Sequence, residues 1–445
     1  MRRGGVVLMV MVSVTLGTLC GFLSINTMQG ARLPRGPNDA VTNPPGASSG
    51  QDGTCSKSSS LKRSYTRSEV LSGGEGEACP LPKRILIWTS FWGEQSFTWE
   101  RIFFRQVSRR CPESRCELVY DHRLLDSAAA VLFHPGDMKP SYSLPATRPP
   151  GQPWIFLSFE SPSTMINKVN LARLNGVFNW TMTYRRDSDV VVPYGLVLTR
   201  TAPLHLQKDY WSGKSNKLLA AWTVSHCNTE SRREWFVKEL VKHMALDVFG
   251  KCGTRKCGKS LFLMTIGTFN QTECSNEIEK YMFYLAFENS ICLDYITEKF
   301  YQALTLEVVP VVLGGGPYED IAPPHSYVDA LAFDSPKHLA KYLKEVANDR
   351  DAYNRFFVWK QHYTVELGHP FSPLVCDLCA KLHDPVSFSP PNANRNPMEQ
   401  VGVLGAVRGR DGNGSYPDIQ SWFVRGSVCR RWWQSAEGRR KHIHK

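Results

Sequence analysis

The stretch FYLAFENSICLDYITEKFYQALTLEVVPVVLGG runs from Phe283 to Gly315 and decides how the rest of the chain is read. Apolar residues at Phe283, Leu285 and Phe287 mark a buried strand that stops at Glu288-Asn289-Ser290. A helical pattern follows from about Tyr295 to Leu306, and a second apolar run, Val308 to Leu313, ends in three glycines. Strand, polar turn, helix and strand in this order make one unit of an α/β fold with a parallel sheet. Ligands of such sheets sit beyond the carboxyl ends of the strands, where Glu288, Asn289, Asp294, Glu298 and Lys299 gather. A phosphate is favoured there by the free N–H groups and dipole of the helix start, and Lys299 would neutralise part of a diphosphate. The alternative is that Asp294 caps the helix and that Glu298 and Lys299 are solvated charges.

Outward from this unit, the same grammar repeats. RILIWTSFWG (Arg84 to Gly93), AAAVLFHPG and PWIFLSFESP (Pro153 to Pro162) are short apolar runs ending in turn residues, and DSDVVVPYG closes that half. NKLLAAWTVS (Asn216 to Ser225) begins a second series. It continues through ESRREWFVKELVKHM, an amphipathic helix with Trp235, Leu240 and Met244 among its apolar positions, then ALDVFG and a helix near Ser335 to Ala347. Two such series in succession predict two α/β domains with a cleft between them.

The remaining chain is set by composition. With 445 residues, 42% of them hydrophobic, there is enough apolar surface for two or three domains. A net charge of +12 points to anionic partners, but the basic residues are scattered except at the C-terminus and no nucleic-acid signature accompanies them. Arg2 and Arg3 precede an uncharged stretch from Gly4 to Ile25. That length suffices to span a bilayer, for which roughly 20 apolar residues are needed, and the flanking charge leaves the body lumenal. Residues 1–5 are therefore expected to be a cytoplasmic tail, 6–25 a transmembrane signal anchor, with a cleaved signal peptide the alternative, and 26–82 a Gly-, Pro- and Ser-rich stem too apolar-poor to fold. In that oxidising compartment the 13 cysteines are expected to form disulfides, with Cys252, Cys257, Cys376 and Cys379 as candidates and Cys20 left in the anchor. The spacings Cys252-x4-Cys257 and Cys376-x2-Cys379 also admit a metal reading. Sequons at Asn270 and Asn413 fit glycosylation, whereas Asn179 lies in a strand-like run.

Three patterns imitate other chemistries. Gly253 to Ser260, GTRKCGKS, matches a phosphate loop letter for letter, yet LFLMTIGTFNQ after it is more strand-like than helical, and a phosphate loop must open into a helix. Asp187-Ser188-Asp189 imitates a metal-holding D-x-D but sits away from the polar cluster, where a cap or turn is the simpler use. Gly314-Gly315-Gly316 either approaches a phosphate closely or turns the chain before Pro317.

The quoted stretch resembles the signature of the α-1,3-fucosyltransferases, glycosyltransferase family ten. SFESPS (Ser158 to Ser163), FNWTMTYRRDSDVVVPYG (Phe178 to Gly195), WTVSHCNTESRREWFVKEL and a CDLC pair resemble the family in the same order, over roughly residues 84–384. The resemblance implies a GT-B architecture. An N-terminal Rossmann-like acceptor domain (83–205) would face a C-terminal GDP-fucose-binding domain (206–384), with a basic tail of unknown role (385–445). It implies inversion at the fucose anomeric carbon, with Glu160 as catalytic base. Arg233 and Lys299 would meet charge on the departing GDP, and Ser225, Asn289, Tyr295 and Glu298 would contact the donor. No metal is required by such a cationic clamp, which leaves Mn2+ or Mg2+ as a stimulant only.

Two departures stand out: His226 replaces an Asn common in the family, and the tail has no counterpart. FGKCGTRKCG (Phe249 to Gly258) resembles invertebrate and plant enzymes acting on the innermost GlcNAc of N-glycans, with Lewis-type transfer to N-acetyllactosamine the alternative. The implied setting is a type II Golgi membrane protein whose partners are GDP-fucose and an N-glycan or glycoprotein. Readings from other classes are a lumenal sulfotransferase or kinase using Gly253 to Ser260, and a lectin-like protein without catalysis.

Overall fold

The computed structural model describes residues 82–90, 113, 115–138, 144–214, 218–256, 273–367, 372–384 and 414–434. The segment read as an anchor, nearly all of the stem, Cys257, Asn270 and Asn413 lie outside them. No helix among the described residues is long and apolar enough to cross a membrane.

The fold is α/β with two parallel sheets. The first contains β1 (Lys83–Ile87), β2 (Cys116–Val119), β3 (Ala130–Phe133), β4 (Trp154–Ser158), β5 (Trp180–Thr183) and β6 (Val190–Val191), in the order 2-1-3-4-5-6. The second contains β8 (Ala220–Thr223), β9 (Leu246–Phe249), β10 (Phe283–Phe287), β11 (Val309–Leu313) and β12 (Val328–Asp329), in the order 9-8-10-11-12. Every pairing in both sheets is parallel. WIFLS of β4, FYLAF of β10 and VPVVL of β11 are buried at every position, as strands covered on both faces must be. Both orders reverse direction once, at β1/β3 and at β8/β10, and such a reversal opens a crevice at the carboxyl ends of the strands.

Five helices pack around these sheets. They are α1 (Pro162–Met165), α2 (Arg233–Leu240), α3 (Glu298–Thr305), α4 (Pro336–Asn348) and α5 (Ser372–His383). In α2 the buried face is Phe236, Val237 and Leu240, while Trp235 is 57% exposed. The expectation that Trp235 faces the core fails because its ring turns outward to stack on Trp433, with centroids 5.9 Å apart. Helix α3 begins at Glu298, later than the Tyr295 expected, because Thr297 is in extended backbone (φ −106°, ψ −176°), which no helical run can pass through.

Helix α4, Tyr353 and Phe357 pack with the second sheet, and beyond them the chain leaves that half. β13 (Tyr363–Glu366) returns to pair antiparallel with β7 (Leu196–Thr199). Helix α5 then docks on the first sheet, where Cys379 is bonded to Cys116 of β2, Lys83 Nζ donates to Leu382 O at 2.5 Å and His383 Nε2 sits 3.0 Å from Arg115 O. Helix α5, which falls within residues 206–384, thus packs on the first sheet, a contact that short-range patterning cannot announce because the bonded partner lies 263 residues away. Closing a loop of that size is worth on the order of 5–6 kcal/mol in the chain-entropy account of disulfides. Cys252 pairs with Cys227, and Cys292 with Cys429; Cys376 and Cys274 are disulfide-bonded as well. A metal at Cys379 would need the thiolate that its bond to Cys116 consumes.

The tail, left without a place by the sequence, contributes residues 414–434 to the fold. Tyr416, Ile419, Trp422 and Phe423 are buried against Phe133, Trp154, Phe156 and Phe178 of the first sheet. Asp187 and Asp189 are spent on the same junction. Asp187 accepts from Arg185 (2.7 and 2.8 Å) and from Trp422 Nε1 (3.2 Å), and Asp189 from Thr181 N and Tyr416 OH, both at 2.9 Å. Asn179 is similarly used: its Oδ1 accepts from Trp154 N at 2.9 Å and its Nδ2 donates to Ser415 Oγ at 3.3 Å.

Candidate active site

The carboxyl ends of the two sheets meet. Ser161, which follows β4 and caps α1, has its Oγ 2.7 Å from Ser290 Oγ, just beyond β10. Glu160 stands beside this contact, its carboxylate 22% exposed and 3.8 Å from Lys168 Nζ. The backbone before it is held by Tyr194, whose buried hydroxyl donates to Phe159 O. Tyr194 packs edge-to-face on Tyr295 (6.3 Å), which packs in turn on Tyr184 (4.9 Å), so aromatic rings fill the junction. Burial, then Glu298, Glu160 and Glu288 in turn, drives the Tyr194 pKa well up, which places that phenol among three carboxylates from both halves.

A second tie fixes the approach. Asp294, nearly buried, receives Arg186 Nε at 3.0 Å and Arg186 N at 3.1 Å, and Arg186 also reaches Asp320 at 3.1 Å. Asp294 thus caps nothing; it joins the halves. Gly195 is required nearby, because a Cβ there would lie 2.4 Å from Tyr301 of α3.

The crevice at β8/β10 holds the cations. Arg233 opens α2 after Arg232, whose φ of 57° swings the chain into the helix. Its side chain is 4% exposed, donates from Nη1 to Phe287 O, and lies 5.6 Å over the Trp222 ring. Arg233 Nε is buried without a partner, and so is Asn289 Oδ1. A buried donor and a buried acceptor left open in one crevice are costly unless a ligand completes them. Burial lowers the Arg233 pKa against the pull of Glu288. Ser231 knits the crevice walls, donating from N to Asn289 O at 2.9 Å and from Oγ to Glu288 O at 2.8 Å.

Lys299 Nζ sits 2.7 Å from Glu298, 2.8 Å from Thr297 Oγ1 and 3.3 Å from Glu288. Burial disfavours its ammonium, yet Glu288 and Glu298 outweigh burial and the pKa is raised. Glu288 is fully buried and accepts from Thr297 N (2.8 Å) and Thr297 Oγ1 (2.8 and 2.9 Å). Thr297 therefore makes no side-chain cap on α3, although it occupies the capping position. Burial raises the Glu288 pKa despite Lys299.

Of the residues picked from sequence, Glu160, Arg233, Asn289, Tyr295, Glu298 and Lys299 converge on these facing strand ends. Ser225 and His226 are exposed beyond β8, with the His226 carbonyl 3.5 Å from Arg233 Nη2. Glu288 was read as part of the polar cluster but given no role, although a carboxylate directly after a fully apolar strand marks it; Tyr194 was not picked. The described part of the phosphate-loop pattern, Gly253 to Lys256, folds back on β9, with Arg255 N 3.1 Å from Val248 O. Gly315 serves close packing rather than a phosphate, since a Cβ there would lie 2.6 Å from Cys292 O.

Two family models match, "Glycosyltransferase family 10 (fucosyltransferase) C-term" over residues 211–390 and "Fucosyltransferase, N-terminal" over residues 81–195. Alpha-(1,3)-fucosyltransferase C of Drosophila melanogaster is 38% identical over 331 residues, 68% of this chain and 74% of that protein. Alpha-(1,3)-fucosyltransferase 7 of Bos taurus is 38% identical over 274 residues, 60% of this chain and 73% of that protein. A solved alpha1,3-fucosyltransferase with GDP-fucose aligns at a TM-score of 0.44 and 13% identity, over 72% of this chain and 95% of that one.

Proposed function

The chain belongs to glycosyltransferase family 10 and is a fucosyltransferase, and we propose that it moves L-fucose from GDP-fucose to the 3-hydroxyl of a GlcNAc in a glycoprotein glycan. The observation that carries the reading is the pair of open polar atoms, Arg233 Nε and Asn289 Oδ1, in the crevice where the second sheet reverses. In this reading the diphosphate of GDP meets Arg233, Lys299 and the uncapped start of α3, beside Asn289, Tyr295, Glu298 and Ser225. In this reading the two sheets form a GT-B pair, residues 83–205 taking the acceptor and the second sheet the donor.

The acceptor hydroxyl attacks the anomeric carbon from the side opposite GDP. The new C–O bond forms as the bond to the β-phosphate oxygen breaks, and the configuration inverts. Glu160 takes the hydroxyl proton. Charge developing on GDP falls beside Arg233 and Lys299, where low dielectric and fixed geometry make it worth most. Glu160 comes from the first half and the cations from the second, so catalysis needs the junction that Ser161–Ser290 and Arg186–Asp294 maintain. The clamp needs no metal; Mn2+ or Mg2+ would act only as stimulants.

We place the enzyme in the Golgi as a type II membrane protein, on the uncharged stretch at residues 6–25, with Asn270 and Asn413 as glycosylation sites. For the acceptor we favour the innermost GlcNAc of N-glycans. The test is incubation of the full chain with GDP-fucose and either a trimmed N-glycopeptide or N-acetyllactosamine, read by mass spectrometry. Fucose on the innermost GlcNAc supports the reading. Transfer to lactosamine alone makes the enzyme Lewis-type, and no transfer to either refutes the acceptor class.

A further inference from the structure

Residues 414–434 lie outside the span that the family models cover, which ends at residue 390. They nevertheless touch both halves of the molecule. At one end, Tyr416 N donates to Phe178 O and Gly176 N to Tyr416 O, both at 2.8 Å, and Ile419 and Phe423 are fully buried against the first sheet. Arg185 fastens the middle, donating to Trp422 O and to Ser427 Oγ (3.2 Å) while its guanidinium lies 4.4 Å over the Trp422 ring.

The other end grips the donor side. Leu293 N donates to Ser427 O (2.8 Å), Arg430 N donates to Ile291 O (2.9 Å), and Cys429 is bonded to Cys292. Ile291, Cys292 and Leu293 lie between Asn289 and Tyr295, so the three attachments fall inside the loop that carries the donor-facing residues. Trp432 N then donates to Ser231 O at 3.3 Å, and the Trp432 ring packs edge-on against Phe236 of α2 at 5.1 Å. Ser231 is the residue whose N–H holds the Asn289 carbonyl and whose neighbour but one is Arg233. One strap therefore reaches both walls of the crevice, and each wall carries one of the open polar atoms.

We propose that residues 414–434 form a strap that positions the donor site across the two halves, with Cys429 and Trp432 as its positioning residues. This rests on the donor reading above. A segment that only stabilised the fold would have no need to attach at Ile291–Leu293 and Ser231, the two places from which Asn289 and Arg233 are set.

The test uses the full chain carrying Cys429→Ser, Cys292→Ser or both, with GDP Kd by calorimetry, steady-state kinetics in GDP-fucose, and melting temperature. Each single variant is expected to raise GDP Kd and the KM for GDP-fucose about five- to twentyfold, with kcat at saturating donor changing less, and the double variant is expected to be no worse. Cys379→Ser, in the bond at the outer edge of the first sheet, is the comparison: its melting temperature falls while KM stays. If the cysteine variants fail to fold, Trp432→Ala reads the same junction, with Trp432→Phe restoring most of the donor affinity. Variants that melt earlier but keep parental Kd and KM overturn the strap and leave the donor reading standing. A parent chain that does not bind GDP overturns both.

Discussion

Glu160→Gln isolates the base. The side chain is 22% exposed, and its ion pair with Lys168 at 3.8 Å joins a residue that is 41% exposed. Such a surface pair is worth about 0–1 kcal/mol, so the amide should fold and melt almost as the parent does. The donor cations are carried by other elements, α2 and α3, and GDP Kd should stay within about threefold. Removing a general base costs roughly 100- to 10,000-fold, or about 2.7–5.5 kcal/mol of transition-state stabilisation. The assay is radiolabelled or mass-spectrometric transfer at saturating GDP-fucose, with calorimetric GDP binding on the same samples. A fall in kcat of less than about tenfold, or a loss of GDP binding equal to the loss of turnover, refutes the assignment.

Other perturbations separate the remaining roles. Lys299→Ala removes a charged donor and leaves Glu288 buried without its ammonium; GDP Kd should rise about ten- to a hundredfold and the melting temperature should fall, both read on one preparation. Arg186→Gln strips Asp294 of its ion pair at 8% exposure, and denaturant unfolding should show a loss of up to about 3–5 kcal/mol, with an unchanged midpoint contradicting a working tie. Asp377, on α5, has its pKa raised by burial from 3.8 to about 6. The folded state then holds the proton more tightly than the unfolded one. This contribution is complete below about pH 3.8 and is lost as pH rises through 6. Asp377→Asn should therefore stabilise the protein by up to about 3 kcal/mol at pH 8 and about half that at pH 5, and equal gains at both pH values would exclude the mechanism.

What could be read from sequence follows from how local each signal is. The runs at Trp154–Ser158, Phe283–Phe287 and Val309–Leu313 announce strands because burial on both faces leaves no polar position to blur the pattern. Their polar ends, at Glu160 and at Glu288 to Ser290, are equally plain, so the parallel sheets and the facing strand ends were legible. The return of the chain was not. Tyr363–Glu366 pairs with Leu196–Thr199, Cys379 with Cys116, and Cys429 with Cys292, all across separations that no short window spans. Trp422 and Phe423 sit among polar and glycine-containing neighbours in a run with no helical or strand period, and only the apolar face of the first sheet gives them a place. The two readings of Asp294, in the ligand cluster or as a helix cap, left out its tie to Arg186 for a related reason. Asp shortly before a helix ordinarily caps it, but here Arg186, 108 residues earlier, claims the carboxylate.

The most direct measurement is the structure of the full chain with GDP-fucose or GDP bound. The account predicts the diphosphate at the carboxyl ends of β8 and β10, within hydrogen-bond distance of Arg233 and Lys299, with Asn289 completed by the ligand and Glu160 facing the fucose position across the junction. GDP bound elsewhere, for example against Gly253 to Lys256, or a crevice that leaves Arg233 Nε and Asn289 Oδ1 still open, would contradict it.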